Sequence, residues 1–147
     1  MKFKLFLFTL ISTTIMSCNS VKEQKNESSN NTITEKYWKL TALYGKEIKI
    51  DDEQKREIFI TLKTNGNSFT GFAGCNTIGG VYILEDGNKV TFSKIMSTRM
   101  FCSNNATESK FIKALNTADN YTLKDDVLSL NIDKKTPLAV FKAVYLQ

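Results

Sequence analysis

Residues 58–72 read Ile-Phe-Ile-Thr-Leu-Lys-Thr-Asn-Gly-Asn-Ser-Phe-Thr-Gly-Phe, and this stretch decides the fold class. Large aliphatic residues occupy every second position from Ile58 to Leu62, which is the period of a β-strand with one buried face. The Asn-Gly pair at 65–66 favours a tight turn because both residues tolerate a positive φ. A second strand at 68–72 therefore returns antiparallel to the first, and the stretch is predicted to be a β-hairpin.

The same two-residue rhythm continues on both sides of this hairpin. Further strands are predicted at residues 37–43, 79–84, 89–92, 121–123, 127–132 and 138–146. Turns are predicted at 64–67, 85–88, 124–126 and 133–136, and the charged stretch 51–57 is predicted to be a loop.

One segment, residues 106–118, breaks the rhythm. Its apolar residues follow helical spacing on one face: Phe111, Ile112, Leu115 and Ala118. Asn105 and Glu108 fit a capping pair at its start. Many short strands leave exposed edges unless the sheet closes or is covered. We therefore predict a mainly β fold: a small antiparallel, up-and-down, partly open β-barrel capped by a single helix at about 106–118.

The N-terminus has the features of an export signal. Lys2 and Lys4 precede an apolar run, residues 5–15, that is too short to span a bilayer as a stable helix. The run ends in Ile-Met-Ser-Cys at 15–18, which resembles a bacterial lipobox. We predict that residues 1–17 are a lipoprotein signal peptide and that Cys18 carries the lipid. The alternative is an ordinary secretory signal that happens to contain a cysteine.

Residues 18–34 are predicted to be the lipidated cysteine followed by a flexible tether, because this stretch is polar and nearly free of bulky apolar groups. The folded domain is predicted to occupy residues 35–147. Residue 19 is Asn, which under the enterobacterial sorting rule favours the outer membrane. We expect a lipid-anchored protein of the cell envelope, most simply at the outer membrane of a Gram-negative bacterium.

Composition excludes several classes of function. The chain has no histidine, so Ser-His-Asp catalysis, Cys-His catalysis and His-ligated metal sites are excluded. The formal net charge of +5 falls to +3 without Lys2 and Lys4, and the basic residues are scattered, which argues against nucleic-acid binding. No metal ligands or cofactor motif stand out, and we expect a monomer without a cofactor.

Cys75 and Cys102 form an even pair once Cys18 is assigned to the lipid. In an exported protein the leading interpretation is a disulfide, which would join a glycine-rich loop to the segment before the helix. The alternative is two buried free thiols. A catalytic cysteine is disfavoured because the chain has no histidine to activate it.

Three polar residues near these cysteines are candidates for a ligand-binding or structural role: Arg99, Asn76 and Thr98. The guanidinium of Arg99 could hold a carboxylate or a phosphate, or form a structural ion pair with an acid such as Glu108. The Asn76 amide could face a ligand, but a hydrogen bond that closes a turn is the simpler interpretation. The neighbouring glycines lack the Lys and Ser/Thr of a phosphate-binding loop.

The chain resembles the META domain family of HslJ-like bacterial lipoproteins. The resemblance begins at Trp38-Lys39-Leu40, is most specific at residues 69–76 and 97–102, and ends in the last strand. It covers roughly 110 residues. It implies a small β-rich domain in exported lipoproteins, with a role in envelope stress or antibiotic tolerance, and it supplies no catalytic residues.

These observations favour a non-enzymatic, membrane-anchored envelope lipoprotein. Its expected partner is an envelope protein, another envelope component or a small apolar ligand. One alternative is a structural or assembly factor of the envelope, and a weaker one is an enzyme that uses carboxylates and Arg99. An apolar ligand inside the barrel would require an interior not filled by residues such as Trp38, Phe69, Phe111 and Leu115.

Overall fold

The computed structural model describes residues 32–49, 56–102, 106–133 and 136–145. Several predictions concern residues outside these ranges: the signal peptide, Cys18, most of the tether, Asn105 of the capping pair, and residues 51–55 of the charged loop.

Nine strands and one α-helix form within the described ranges. The strands are β1 (Tyr37–Leu43), β2 (Lys46–Glu47), β3 (Phe59–Lys63), β4 (Ser68–Phe72), β5 (Thr77–Glu85), β6 (Lys89–Ser97), β7 (Asn120–Lys124), β8 (Val127–Asn131) and β9 (Pro137–Val144). The helix α1 (Ala106–Thr117) lies between β6 and β7, and a short 3-10 helix (Asn65–Asn67) joins β3 to β4.

The described strands form one antiparallel sheet that closes into a ring. Strands adjacent in sequence pair with one another, except that β2 is attached to β1 alone, and β9 also pairs with β1 from Val144 opposite Tyr37 to Ala139 opposite Leu43. Closure is weakest between β6 and β7, where the register contains the single pair Lys89–Asn120. The mainly β fold, its up-and-down order, its partial opening and its single helix are therefore confirmed.

Strand β6 is longer than predicted because it contains a bulge. Val81 pairs with Ser93 and Gly79 with Met96, so β6 has one residue more than β5 over this interval. Lys94 has a φ of 52° there, and the added residue shifts the alternation of buried and exposed positions. Opposite the bulge, a Cβ on Gly80 would lie 2.7 Å from the carbonyl oxygen of Ser93, so only glycine fits.

The interior of the ring is filled by side chains from the strands and from α1. The largest residues there are at most 1% exposed: Trp38, Phe69, Phe111 and Phe141. Ala114 and Leu115 of α1 belong to the same core, so the helix packs its apolar face against the strands. This filled interior argues against an apolar ligand inside the ring.

The folded unit begins earlier than the predicted boundary at residue 35. Ile33 is 1% exposed and belongs to the core, and its carbonyl oxygen accepts a hydrogen bond from Nε1 of Trp38 at 2.7 Å. The prediction that residues 32–34 are flexible tether is therefore wrong. A single isoleucine in a polar run has no periodicity that could indicate burial.

Candidate functional site

The structure contains a disulfide between Cys75 and Cys102, with 27 residues of sequence separation. Cys75 lies in the loop between β4 and β5, and Cys102 follows the end of β6. The bond therefore attaches the chain that leaves β6 to the β4–β5 loop. Gly74, which precedes Cys75, has a φ of +109°, a conformation that other residues rarely adopt.

Asn76 forms the centre of a hydrogen-bond network beside this disulfide. Its side chain is buried, and Oδ1 accepts hydrogen bonds from the backbone N–H of Met100 at 2.7 Å and from the hydroxyl of Thr98 at 2.8 Å. Its Nδ2 donates to Oε1 of Glu108 at 3.1 Å and to the carbonyl oxygen of Met100 at 3.4 Å. The amide is fully used within the protein, so Asn76 has a structural role and does not face a ligand.

Glu108 reaches this network from the first turn of α1. The side chain is 9% exposed, and Oε2 accepts a hydrogen bond from the backbone N–H of Asn76 at 2.7 Å. The two oxygens of Glu108 are thus bonded to Asn76, and the ion pairs among the described residues include none between Glu108 and Arg99. The suggested Arg99–Glu108 pair is not formed.

Thr98 attaches the end of β6 to the start of β5. Besides its bond to Asn76, its hydroxyl oxygen accepts a hydrogen bond from the backbone N–H of Thr77 at 3.2 Å. Its own N–H donates to the carbonyl oxygen of Thr77 at 3.0 Å. Thr98 is therefore a positioning residue for the loop that follows it.

The loop 98–102 is thus fixed through Thr98, Met100 and Cys102, yet it presents apolar side chains to solvent. Phe101 is 97% exposed, Met100 is 67% exposed, and Met96 at the end of β6 is 72% exposed. We call Met96, Met100 and Phe101 the apolar tip. Large apolar side chains exposed together on a loop with a bonded backbone are typical of binding sites.

The segment of the chain that contains the apolar tip is rich in basic residues. Residues 94–113 contain four basic residues and one acidic residue: Lys94, Arg99, Lys110, Lys113 and Glu108. The basic residues are all exposed, whereas Glu108 is buried against Asn76. The described part of this segment therefore exposes basic side chains and no acidic one.

Two surface depressions lie away from the tip. One, of about 530 Å³, is lined by Thr32, by residues 34–37 and by residues that include Thr61, Lys63 and Tyr145. Its one acid, Glu35, has its pKa lowered to about 2, chiefly by a hydrogen bond from the backbone N–H of Thr64 and then by Lys63. Glu35 is therefore ionised at neutral pH and cannot act there as a proton donor.

The second depression, of about 380 Å³, is lined by Lys89, Asp119, Asn120 and Asp133. The carboxylate of Asp119, just before β7, accepts a hydrogen bond from the backbone N–H of Asp133 at 3.2 Å, which joins the turn after β8 to the start of β7. Within the described residues, no cluster of Cys, Asp and Glu side chains has the arrangement of a metal site. Nor does any helix in these ranges have the length and hydropathy needed to cross a bilayer.

The structure places Asn76, Thr98 and the two cysteines in one cluster, as their positions in the sequence suggested, with Arg99 exposed beside them. Neither the contact between Glu108 and Asn76 nor the exposure of Met100 and Phe101 was predicted from the sequence. The sequence does contain one indication of this exposure, because the apolar pair Met100-Phe101 stands directly before Cys102. A segment this short has no strand or helix face with which to bury both side chains.

The described residues form a small, disulfide-linked antiparallel ring with one α-helix, and a hydrogen-bonded surface loop lies beside the disulfide. The sequence profile described as META domain matches residues 31–145. The chain therefore belongs to the META domain family.

Solved structures with the same fold include an NMR structure of a protein from Burkholderia xenovorans. It is 24% identical, covers 91% of this chain and 99% of its own, and superposes with a TM-score of 0.62. A DUF4847 family protein from Bacteroides vulgatus is 20% identical over 78% of this chain and 96% of its own, with a TM-score of 0.57. These likenesses show the fold alone. No curated protein matches the chain.

Proposed function

We propose that this chain is a lipid-anchored, non-enzymatic protein of the bacterial cell envelope that binds another envelope component through its apolar tip. The lipid is attached at Cys18, and the lipobox-like sequence at 15–18 supports this attachment. The anchoring membrane is the outer membrane, which Asn19 favours. The role in envelope stress or antibiotic tolerance is the one that the family resemblance suggests.

The 97% exposure of Phe101, on a loop whose flanking residues Met100 and Cys102 are bonded to the domain, is the observation that carries the proposal. Burying this ring and Met100 against a partner would remove apolar surface from water, which is the main driving force of association. Aromatic residues, Met and Arg are also the residue types enriched at protein interfaces.

The hydrogen bonds of Asn76 to Met100 and Thr98 make this surface effective for binding. A loop that is already ordered loses little conformational entropy when a partner binds, so more of the contact energy appears as affinity. The filled ring interior supports the same conclusion, because it leaves the surface as the place for recognition.

Site-specific photo-crosslinking in cells tests this proposal. A photoreactive amino acid is introduced at position 101 of the full chain, with position 83 as the matched control because Ile83 is 54% exposed. We expect a discrete adduct from position 101 that is absent from position 83 and is reduced by Met100→Ser. Equal adducts from both positions, or none from position 101, would contradict the proposal.

The anchor is tested separately with Cys18→Ala. We expect the variant to stay unprocessed or to leave the membrane fraction, as measured by detergent partitioning and the mass of the mature protein. Unchanged partitioning and an unchanged mature mass would show that Cys18 is not the attachment site.

A further inference from the structure

We propose that the apolar tip and the basic residues around it form a docking site for an anionic lipid surface. The inference rests on the proposed function, because it names the class of envelope component that the tip contacts. Phe101 and Met100 would enter the interfacial region of the bilayer, and Arg99 would lie among the lipid phosphates.

The projecting shape of the tip favours a lipid bilayer as its binding partner. Phe101 is 97% exposed, so almost no neighbouring atoms surround the ring and it projects from the domain. The depressions described above are lined by other residues and do not receive it. A projecting ring can enter a bilayer interface without a complementary groove, and the affinity of such insertion grows with the apolar area buried.

The charge around the tip favours an anionic surface. Lys94 lies on the same strand as Met96, Arg99 is adjacent to Met100, and Lys110 is exposed on α1. Each basic residue near an anionic bilayer contributes about 1 kcal/mol of attraction, equivalent to about a fivefold change in binding. Glu108, the one acidic residue between Lys94 and Lys113 in the sequence, is buried, so it opposes this attraction less than an exposed carboxylate would.

The exposed apolar residue Ile83 provides the contrast within this chain. Ile83 is 54% exposed, but it lies beside Glu85 and Asp86, which an anionic bilayer would repel. The exposed apolar residues of the tip therefore have basic Arg99 as a neighbour in the chain, whereas Ile83 has acidic ones.

The length of chain before the domain allows this contact. The N-terminal segment meets the domain at the β3–β4 turn, where Glu35 bonds to Thr64, and the tip lies beyond the opposite ends of these strands. The two places are separated by the five-residue strands, about 14 Å. The fifteen residues from Cys18 to Thr32 are joined by fourteen Cα–Cα steps and can span at most about 50 Å, which is enough for either end of the domain to touch the anchoring bilayer.

The experiment uses the chain from residue 18 onward, coupled through the Cys18 thiol to a maleimide lipid in preformed vesicles. With the disulfide intact, Cys18 is the one reactive thiol among the three cysteines. Phe101→Trp supplies a fluorescent probe at the tip, and Ile83→Trp is the matched control. The native Trp38 is 0% exposed and contributes a constant background. Vesicles of phosphatidylcholine with phosphatidylglycerol are compared with phosphatidylcholine alone, each with and without brominated lipid.

We expect the indole at position 101 to shift to the blue and to be quenched by brominated lipid on the anionic vesicles, whereas the indole at position 83 does neither. Adding Arg99→Gln should lower the ratio of inserted to free tip about fivefold. High salt should lower this ratio as well, because it screens the attraction. An indole at position 101 that stays in water on anionic vesicles would overturn the inference, as would equal quenching at positions 101 and 83.

The photo-crosslinking experiment separates this inference from the proposed function. If the indole stays in water and position 101 captures a protein in cells, the lipid inference fails and the proposed binding function stands. If position 101 gives no adduct with either lipid or protein, both fail.

Discussion

Replacing Glu108 with Ala should destabilise the domain by about 3 kcal/mol. Glu108 is 9% exposed and accepts hydrogen bonds from the backbone N–H and the side-chain amide of Asn76, at 2.7 and 3.1 Å. A hydrogen bond to a charged group contributes about 1.5–3 kcal/mol, and losing the acceptor leaves two buried donors without a partner. The conservative variant Glu108→Gln keeps one acceptor oxygen, so we expect it to cost about 1.5 kcal/mol.

Urea unfolding measures this loss. With an m-value of about 1.5 kcal/mol/M, a loss of 3 kcal/mol lowers the midpoint by about 2 M. The control is Glu47→Ala, since Glu47 is 75% exposed at its side chain and pairs with Lys49 at 3.9 Å. Such exposed ion pairs contribute less than about 1 kcal/mol.

A double-mutant cycle with Asn76→Ala shows whether the loss comes from this contact. The two substitutions together should cost less than the sum of each alone, by about 1 kcal/mol or more, because they remove the same hydrogen bonds. A Glu108→Ala variant as stable as Glu47→Ala, or fully additive losses, would refute the assignment of Glu108 as a support of the loop.

Three other predictions concern stability. Removing the disulfide with Cys75→Ala and Cys102→Ala should cost about 3.5 kcal/mol in the loop-entropy account for a separation of 27 residues; a variant as stable as the oxidised protein would contradict it. Gly80→Ala should destabilise the domain by about 1–3 kcal/mol, because its Cβ would lie 2.8 Å from the ring of Phe69, and an unchanged midpoint in urea would refute the close approach. Glu35 stabilises the folded state above its ordinary pKa of 4.5, and this contribution is lost as the pH falls from 4.5 towards about 2. Glu35→Gln should therefore be less stable than the native chain at pH 7, with a difference that shrinks below pH 4.5; a constant difference across this range would contradict it.

The alternation of apolar and polar residues predicted most of the strands, because each strand shows within its own sequence which side chains face the core. The bounds of β1 and β4 agree with the predicted ones at both ends. The second half of β6 was missed because the bulge at Lys94 reverses which side chains face the core, so Ile95 is out of step with Phe92. A two-residue period cannot continue through an added residue.

Only those parts of the candidate site could be predicted that follow from residue types and not from tertiary packing. Cysteine parity indicated the disulfide without any knowledge of the fold. The bond between Asn76 and Glu108 joins residues 32 positions apart and depends on how α1 packs against the ring. No local pattern distinguishes that tertiary contact from a helix cap, so the sequence indicated a capping role for Glu108.

Amide hydrogen exchange at Met100 tests most directly whether the apolar tip is held in a fixed conformation. The N–H of Met100 donates to Oδ1 of Asn76 at 2.7 Å, although the Met100 side chain is 67% exposed. In the oxidised native protein we predict exchange at least about 100-fold slower than in an unstructured peptide, and loss of this protection in Asn76→Ala. Exchange at the rate of an unstructured peptide in the native protein would contradict a preformed recognition surface at the tip.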